Sequence, residues 1–305
     1  QQGIVLLGIL LVMIACALWA LDTLIRYPLI NEGVSAISIV FYEHLILSVI
    51  FSVVFFKSLK TVWRARTSHY VYFFIVGGVG SALATLAFTR AFVFLNPSLV
   101  ILLQKFQPVF AIALASWILK ETINKYFVFW AAVSLVGAAL ISYEDVISLA
   151  NSPKSLTKLL FHPGAAQGYV LTVFSIVGWG AATVFGKKLR LEGYSNEQIM
   201  SGRFLMGLAA LLPFMGMDSQ LFTHDVEVYG KISLMVFISG ILAMYIFYQG
   251  LRKISARACS LAEMFFPFMA VLVNWLFLNA TLTPIQLVGG GLLLLGSVII
   301  QVKHY

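Results

Sequence analysis

Long apolar runs separated by short polar breaks dominate the chain. A helix needs roughly 20 apolar residues to cross a bilayer. Runs of that kind occupy residues 3–25, 35–57, 69–93, 97–119, 125–143, 166–189, 195–215, 231–251, 256–278 and 283–302. They predict an all-α integral membrane protein with ten transmembrane helices. The first run exceeds the apolar core of a signal peptide and others follow it, so it reads as a span. Most breaks are very short: "FLNPS" separates the third and fourth runs, "LRKISAR" the eighth and ninth. Spans joined so tightly are antiparallel neighbours. The longest polar connection, "YEDVISLANSPKSLTKLLFHPG", lies midway. It divides the chain into a first unit (1–145), a connecting extracytoplasmic loop (146–165) and a second unit (166–305).

Composition supports a bilayer as solvent. Of 305 residues, 61% are hydrophobic and only 10% charged, against about a quarter charged in soluble domains. The net charge of +8 is explained by where the charges fall. With the N-terminus inside, the inner connections carry thirteen Lys and Arg, and the outer ones carry four: Arg26, Lys154, Lys158 and Lys231. Such a bias places both termini in the cytoplasm, with the protein spanning a cytoplasmic (inner) membrane. A nucleic-acid partner is not expected, because these loops are short and carry no nucleic-acid motif. Cys16 and Cys259 both lie in apolar runs and read as small core residues.

The chain repeats itself. At an offset of 159, Phe88 meets Phe247, Leu102 meets Leu261, Pro108 meets Pro267, and Gly137 meets Gly296. At an offset of 160, Trp19 meets Trp179, and Glu32, Gly33 and Ser35 meet Glu192, Gly193 and Ser195. Each half is therefore one copy of a five-span unit. Five is odd, so the second copy lies upside down relative to the first. Inverted repeats about an axis in the membrane plane are a transporter architecture.

These residues carry a family resemblance. "LWALD" and "VGWGA" in the first span of each copy, Pro108 and Pro267 in each fourth span, and "LKETINKYFVFWAAVSLVGAALI" with Glu121 are similar to the EamA-type repeat of the drug/metabolite transporter superfamily. The resemblance covers nearly the whole chain. It implies ten helices as two inverted five-helix repeats, cytoplasmic termini, a central cavity and alternating access. Members carry small metabolites, including amino acids, nucleotide-linked sugars and quaternary amines. Arg203 fits the family's second-helix pattern, whereas its counterpart here is Glu43. Glu121 keeps the acid after helix four, and its counterpart is Ala280.

Polar residues inside the spans mark a candidate pathway. Pro108 has no amide hydrogen, so the carbonyl of Gln104 loses its helical partner, and Pro267 does the same to Glu263. Each pair shares a face one turn apart, and such a patch needs protein or water around it. The expectation is a kinked fourth helix in each copy that faces a cavity. Ionisable groups within spans are functional candidates: Asp22, Glu43, Arg90, Lys105, Arg203 and Glu263. Asp22 and Arg90 lie near outer ends, within reach of the interface by snorkelling. Glu43 with Lys105, and Arg203 with Glu263, suggest two ion-pair latches, one per side. Trp19, Tyr42, Trp117, Trp179, Tyr245 and Tyr248 could supply ring faces to a cation. The candidate substrate pathway is Trp19, Glu43, Arg90, Gln104, Lys105, Pro108, Trp179, Arg203, Tyr245, Tyr248, Glu263 and Pro267.

The reading is a secondary transporter of a small amphipathic metabolite, an amino acid or related solute. Protons are a candidate coupling ion through Glu43 or Glu263. A cationic amine such as choline is the alternative substrate, and a membrane-embedded enzyme the alternative class. No phosphate-binding loop, metal-ligand spacing or catalytic constellation supports ATP drive, a metal, a cofactor or an enzyme. The expected partners are a small-molecule substrate and the lipid bilayer, with the chain a monomer or homodimer.

Overall fold

The computed structural model describes residues 2–95, 100, 103–143, 147, 150–151, 163–278 and 283–303. They are helical, with no strand among them. The first repeat comprises α1 (Gln2–Asn31), α2 (Ala36–Val54) and a short α3 (Phe56–Trp63). Its third span is built from α4 (Thr67–Phe74), a π-helical stretch (Ile75–Leu83) and α5 (Ala84–Phe94). It closes with α6 (Gln107–Ile118) and α7 (Lys125–Ile141). The second repeat comprises α8 (Ala165–Leu191) and α9 (Asn196–Leu211), which ends in a 3₁₀ turn (Leu212–Met217). Its third span is α10 (Val226–Met235), a second π-helical stretch (Val236–Ala243) and α11 (Met244–Lys253). It ends with α12 (Ala256–Glu263), α13 (Phe265–Leu278) and α14 (Pro284–Val302).

Among the described residues, seven helices are long and apolar enough to cross a membrane. Shorter apolar helices at 107–118, 125–141 and 284–300 stand where the three remaining runs were expected. Most of the central connection, including residues 152–162, lies outside the described residues.

Local chemistry explains the sharpest connections. "EGVS" and "EGYS" stop one helix and start the next within four residues. Gly33 and Gly193 adopt φ of 91° and 95°, conformations that a side chain disfavours. Val34 N–H then donates to Leu29 O and Gly33 N–H to Ile30 O, a pattern repeated by Tyr194 to Leu189 and Gly193 to Arg190. This is a Schellman ending. Ser35 and Ser195 next cap α2 and α9, each hydroxyl accepting an N–H of the first turn.

The two copies pack as exchanged partners. α1 lies against α11 with its π stretch and against α12 and α13, while α8 lies against α5 with its π stretch and against α6. α2 pairs with α9, and α7 with α14. The inversion is visible in equivalent acids. Glu32, after α1, pairs with Lys231 at 3.3 Å, whereas Glu192, after α8, reaches Lys188 and His69 on the opposite face.

Small residues permit close crossings, as membrane helices require. A Cβ on Gly289 of α14 would stand 2.6 Å from the carbonyl oxygen of Gly137 in α7, and one on Gly137 would stand 2.5 Å from that of Gly289.

Candidate functional site at the junction of the repeats

Each fourth helix is broken, not merely kinked. The first has a turn at residues 105–106 and the second at Met264. Pro108 and Pro267 fall in the first turn of the helix that follows the break, where a missing N–H leaves nothing unpaired. That is why the expected bend becomes an interruption. At the second break the carbonyl of Glu263, deprived of its partner by Pro267, faces the thiol of Cys16 at 3.7 Å.

The Glu263 side chain holds the junction together. Its Oε1 accepts from Thr183 Oγ1 at 2.8 Å and from the Cys259 thiol at 3.8 Å, and its Oε2 accepts from Gln107 Nε2 at 2.9 Å. One carboxylate thus gathers α6, α8 and α12, and its own carbonyl adds α1. Both repeats contribute, and the residue keeps some accessible surface. A carboxylate in an apolar surround must be hydrogen-bonded or paired to persist there.

A second cluster lies in the same core. Arg203 Nη1 donates to Tyr248 OH at 3.2 Å and its Nε to Ser81 Oγ at 3.2 Å. Ser81, in the first π stretch, also meets His44 Nε2 at 3.0 Å. His44 Nδ1 faces the carbonyl of Val40 at 2.8 Å, so Nδ1 carries the proton and Nε2 accepts from Ser81 in the neutral ring. The chain of hydrogen bonds runs from Arg203 through Ser81 and His44 to the carbonyl of Val40. Helices that widen to a π turn often do so at working sites, and here the widened turn delivers the bridging hydroxyl. Tyr248 is fully buried between this cluster and Phe247.

A third cluster ties α1 to α2. Arg26 Nε donates to Asp22 at 2.7 Å, and its Nη2 and Nη1 grip Glu43 at 2.7 and 3.1 Å. Ser239, in the second π stretch, donates to Asp22 at 3.0 Å, and its carbonyl accepts from the Trp19 indole at 3.3 Å. Two sequence expectations are corrected here. Arg26 is not a loop charge, and Asp22, only 6% exposed, does not snorkel. α1 simply runs further than its apolar core, and the arginine lies one turn from one acid and opposite the other.

The expected latches are not closed in this conformation. Glu43 pairs with Arg26 and not with Lys105, and Glu263 is held by neutral donors, not by Arg203. Symmetry matched Glu43 with Arg203 correctly but could not say which neighbour each would choose. Lys105 is buried in the break after the half-buried Gln104, and Pro108 is buried just beyond it. Trp19 packs on Phe247, and Trp179 on Phe88 with ring centres 4.8 Å apart. Among the described residues, Arg90 reaches the Met217 sulfur at 3.9 Å in an exposed setting, and Tyr245 is exposed. Those two stand apart from the core clusters. Sequence reasoning missed Thr183, Ser81 and Ser239, whose uncharged side chains gave no signal in isolation, whereas Gln107 stood out only as an amide inside an apolar run.

The two halves match one pattern. The EamA-like transporter family matches residues 6–143 and again 166–302. The chain belongs to the EamA-like transporter family. It is thus a multi-pass membrane transporter of the drug/metabolite type. Among similar proteins, the riboflavin transporter ImpX of Fusobacterium nucleatum is 29% identical, over 95% of this chain and 96% of its own length. An uncharacterized transporter of Archaeoglobus fulgidus is 22% identical over 94% of this chain and 95% of its own. A solved crystal structure, 14% identical, covers 99% of this chain and 98% of its own with a TM-score of 0.73, and so shares the fold.

Proposed function

We propose that this EamA-type protein carries a flavin of the riboflavin class by alternating access. The full-length similarity to a riboflavin transporter carries the reading. It moves the substrate from the amino acid or choline of the sequence analysis to a planar heterocycle. The junction suits that chemistry. An isoalloxazine edge presents an imide N–H between two carbonyls, and its ribityl chain presents hydroxyls. Glu263 can accept from an N–H, while Gln107, Thr183 and Arg203 can donate to carbonyls and hydroxyls. Trp19 and the Phe247–Tyr248 pair offer ring faces for stacking. A site that hydrogen-bonds its ligand in a buried setting rejects analogues that leave those groups unpaired.

The energy source is the gradient of the solute or of protons, with Glu43 and Glu263 as the candidate carboxylates. The charge bias of the connections supports cytoplasmic termini. Single-cysteine labelling at positions 60 and 188 should report the inside of intact cells and at 154 the outside. Labelling of position 60 from outside would reverse the orientation.

The decisive test is uptake. A riboflavin-auxotrophic host lacking its own carrier should grow on limiting riboflavin when this protein is expressed, and purified protein should quench flavin fluorescence on binding. Glu263→Gln, which keeps the side chain's size and an acceptor for Thr183, should weaken both effects while leaving the protein folded. No growth rescue together with no quenching would remove flavins from consideration.

A further inference from the structure

A cavity of about 390 Å³ lies away from the junction, where the connection between α2 and α4 meets the turn between α8 and α9. Its walls include Arg64, Arg66, His69, Glu192 and Tyr194. We propose that it binds the phosphate of an anionic phospholipid headgroup. This does not depend on the flavin reading.

The lining explains the ligand class. Arg64 ends α3 and Arg66 begins α4, and both side chains are exposed. Two guanidinium groups two residues apart, neither in an ion pair among the described residues, are the donors that suit phosphate oxygens. His69 Nδ1 bonds the Tyr194 hydroxyl at 2.8 Å, which fixes the inner wall. The acid in the wall is already engaged, because Glu192 pairs with Lys188 at 3.1 Å and lies 3.9 Å from His69. That pairing holds the Glu192 carboxyl below its ordinary value, chiefly through the Lys188 hydrogen bond. Its negative charge is therefore offset, and the arginines remain to attract an anion.

The surroundings choose a lipid over a soluble phosphate. α3 lies at the end of a membrane-spanning helix and carries Lys57 and Lys60 beside the cavity-lining Arg64. Phe56 and Trp63 on the same short helix are 61% and 67% exposed. Basic residues next to exposed aromatics form an interfacial helix, with rings among the acyl chains and charges at the headgroups. An anionic headgroup in the cavity would touch the first repeat through Arg64 and Arg66 and the second through Tyr194, fastening the two at this face.

The test uses the full-length protein in phosphatidylcholine nanodiscs with and without phosphatidylglycerol, with bound lipid counted by native mass spectrometry. Wild type should retain phosphatidylglycerol preferentially and unfold at a higher temperature with it. Arg64→Gln with Arg66→Gln should weaken retention about 30-fold, on the scale of surface charge pairing with anionic lipid. Lys57→Gln with Lys60→Gln removes the same charge outside the cavity and should change retention far less. Equal losses in the two double variants would mean diffuse surface attraction and overturn the site. Inorganic phosphate that displaces the lipid at equal concentration would overturn the headgroup assignment. Wild type with no preference for phosphatidylglycerol would overturn both.

Discussion

Arg26 offers the sharpest quantitative test of how the core is held. It sits between two carboxylates, with side-chain exposures of 19% for Arg26, 8% for Asp22 and 11% for Glu43. Replacing it by Met removes the base that pairs with both and leaves two acids facing each other in low dielectric. Breaking a buried pair from one side costs about 3–5 kcal/mol, because an uncompensated charge stays behind. Two acids share this base, which pushes the cost upwards. The partly exposed guanidinium shows that water has some access, which pulls it down. The middle of the range, about 4 kcal/mol, corresponds to a fall of roughly 8 °C in melting temperature for a chain of this size. Thermal unfolding of purified protein in one detergent reads it directly. Arg26→Met combined with Asp22→Asn and Glu43→Gln should recover most of the loss, since neutral amides can hydrogen-bond each other. A single variant that melts with wild type, or a triple variant as weak as the single, would refute the claim that this arginine is the electrostatic keystone between α1 and α2.

Three other outcomes follow from the geometry. Gly289→Ala should destabilise by about 1–3 kcal/mol, the cost of overpacking, because its Cβ would meet the Gly137 carbonyl at 2.6 Å, whereas Gly291→Ala, with nothing within 4 Å, should be neutral in the same melt. Glu121 accepts the N–H groups of Ala256 at 2.9 Å and Arg257 at 3.2 Å, so Glu121→Ala should cost about 1 kcal/mol in the same assay, as lost caps do; Glu121→Gln, which retains one acceptor, should cost less. Asp218 is the pH-sensitive contact: burial raises its carboxyl, but donors from Ser35, Ser38 and Gln220 outweigh it and hold the group below its ordinary value. A depressed acid stabilises fully above its unfolded value of about 4 and loses that contribution as pH falls through the lower folded value. Melting temperature should therefore drop below about pH 4 in wild type, and Asp218→Asn should be weaker at neutral pH and flatter with acid.

Much of the architecture could be read from the chain, for physical reasons. A bilayer admits helices whose apolar length matches its thickness, so the runs announced themselves. The "EG-x-S" turns were equally legible, since glycine and serine act on their own few neighbours. Internal repetition then gave the pairing of equivalent positions, including Glu43 with Arg203 and Pro108 with Pro267. Tertiary structure alone decided what those positions touch. Arg26 read as a loop charge because α1 continues past its apolar core, and only the folded chain shows that it turns inward to Asp22 and Glu43. The latch pairs are not closed in this conformation for a similar reason. A long charged side chain can reach several neighbours, and spacing along a helix does not rank them. Thr183 and Ser81 had no signal at all in sequence, because a neutral polar side chain in a span can bond its own helix, and Gln107 showed only as an amide in an apolar run. Their meaning comes from a carboxylate and a guanidinium on other helices, brought within 3 Å or so by the crossing of two inverted repeats.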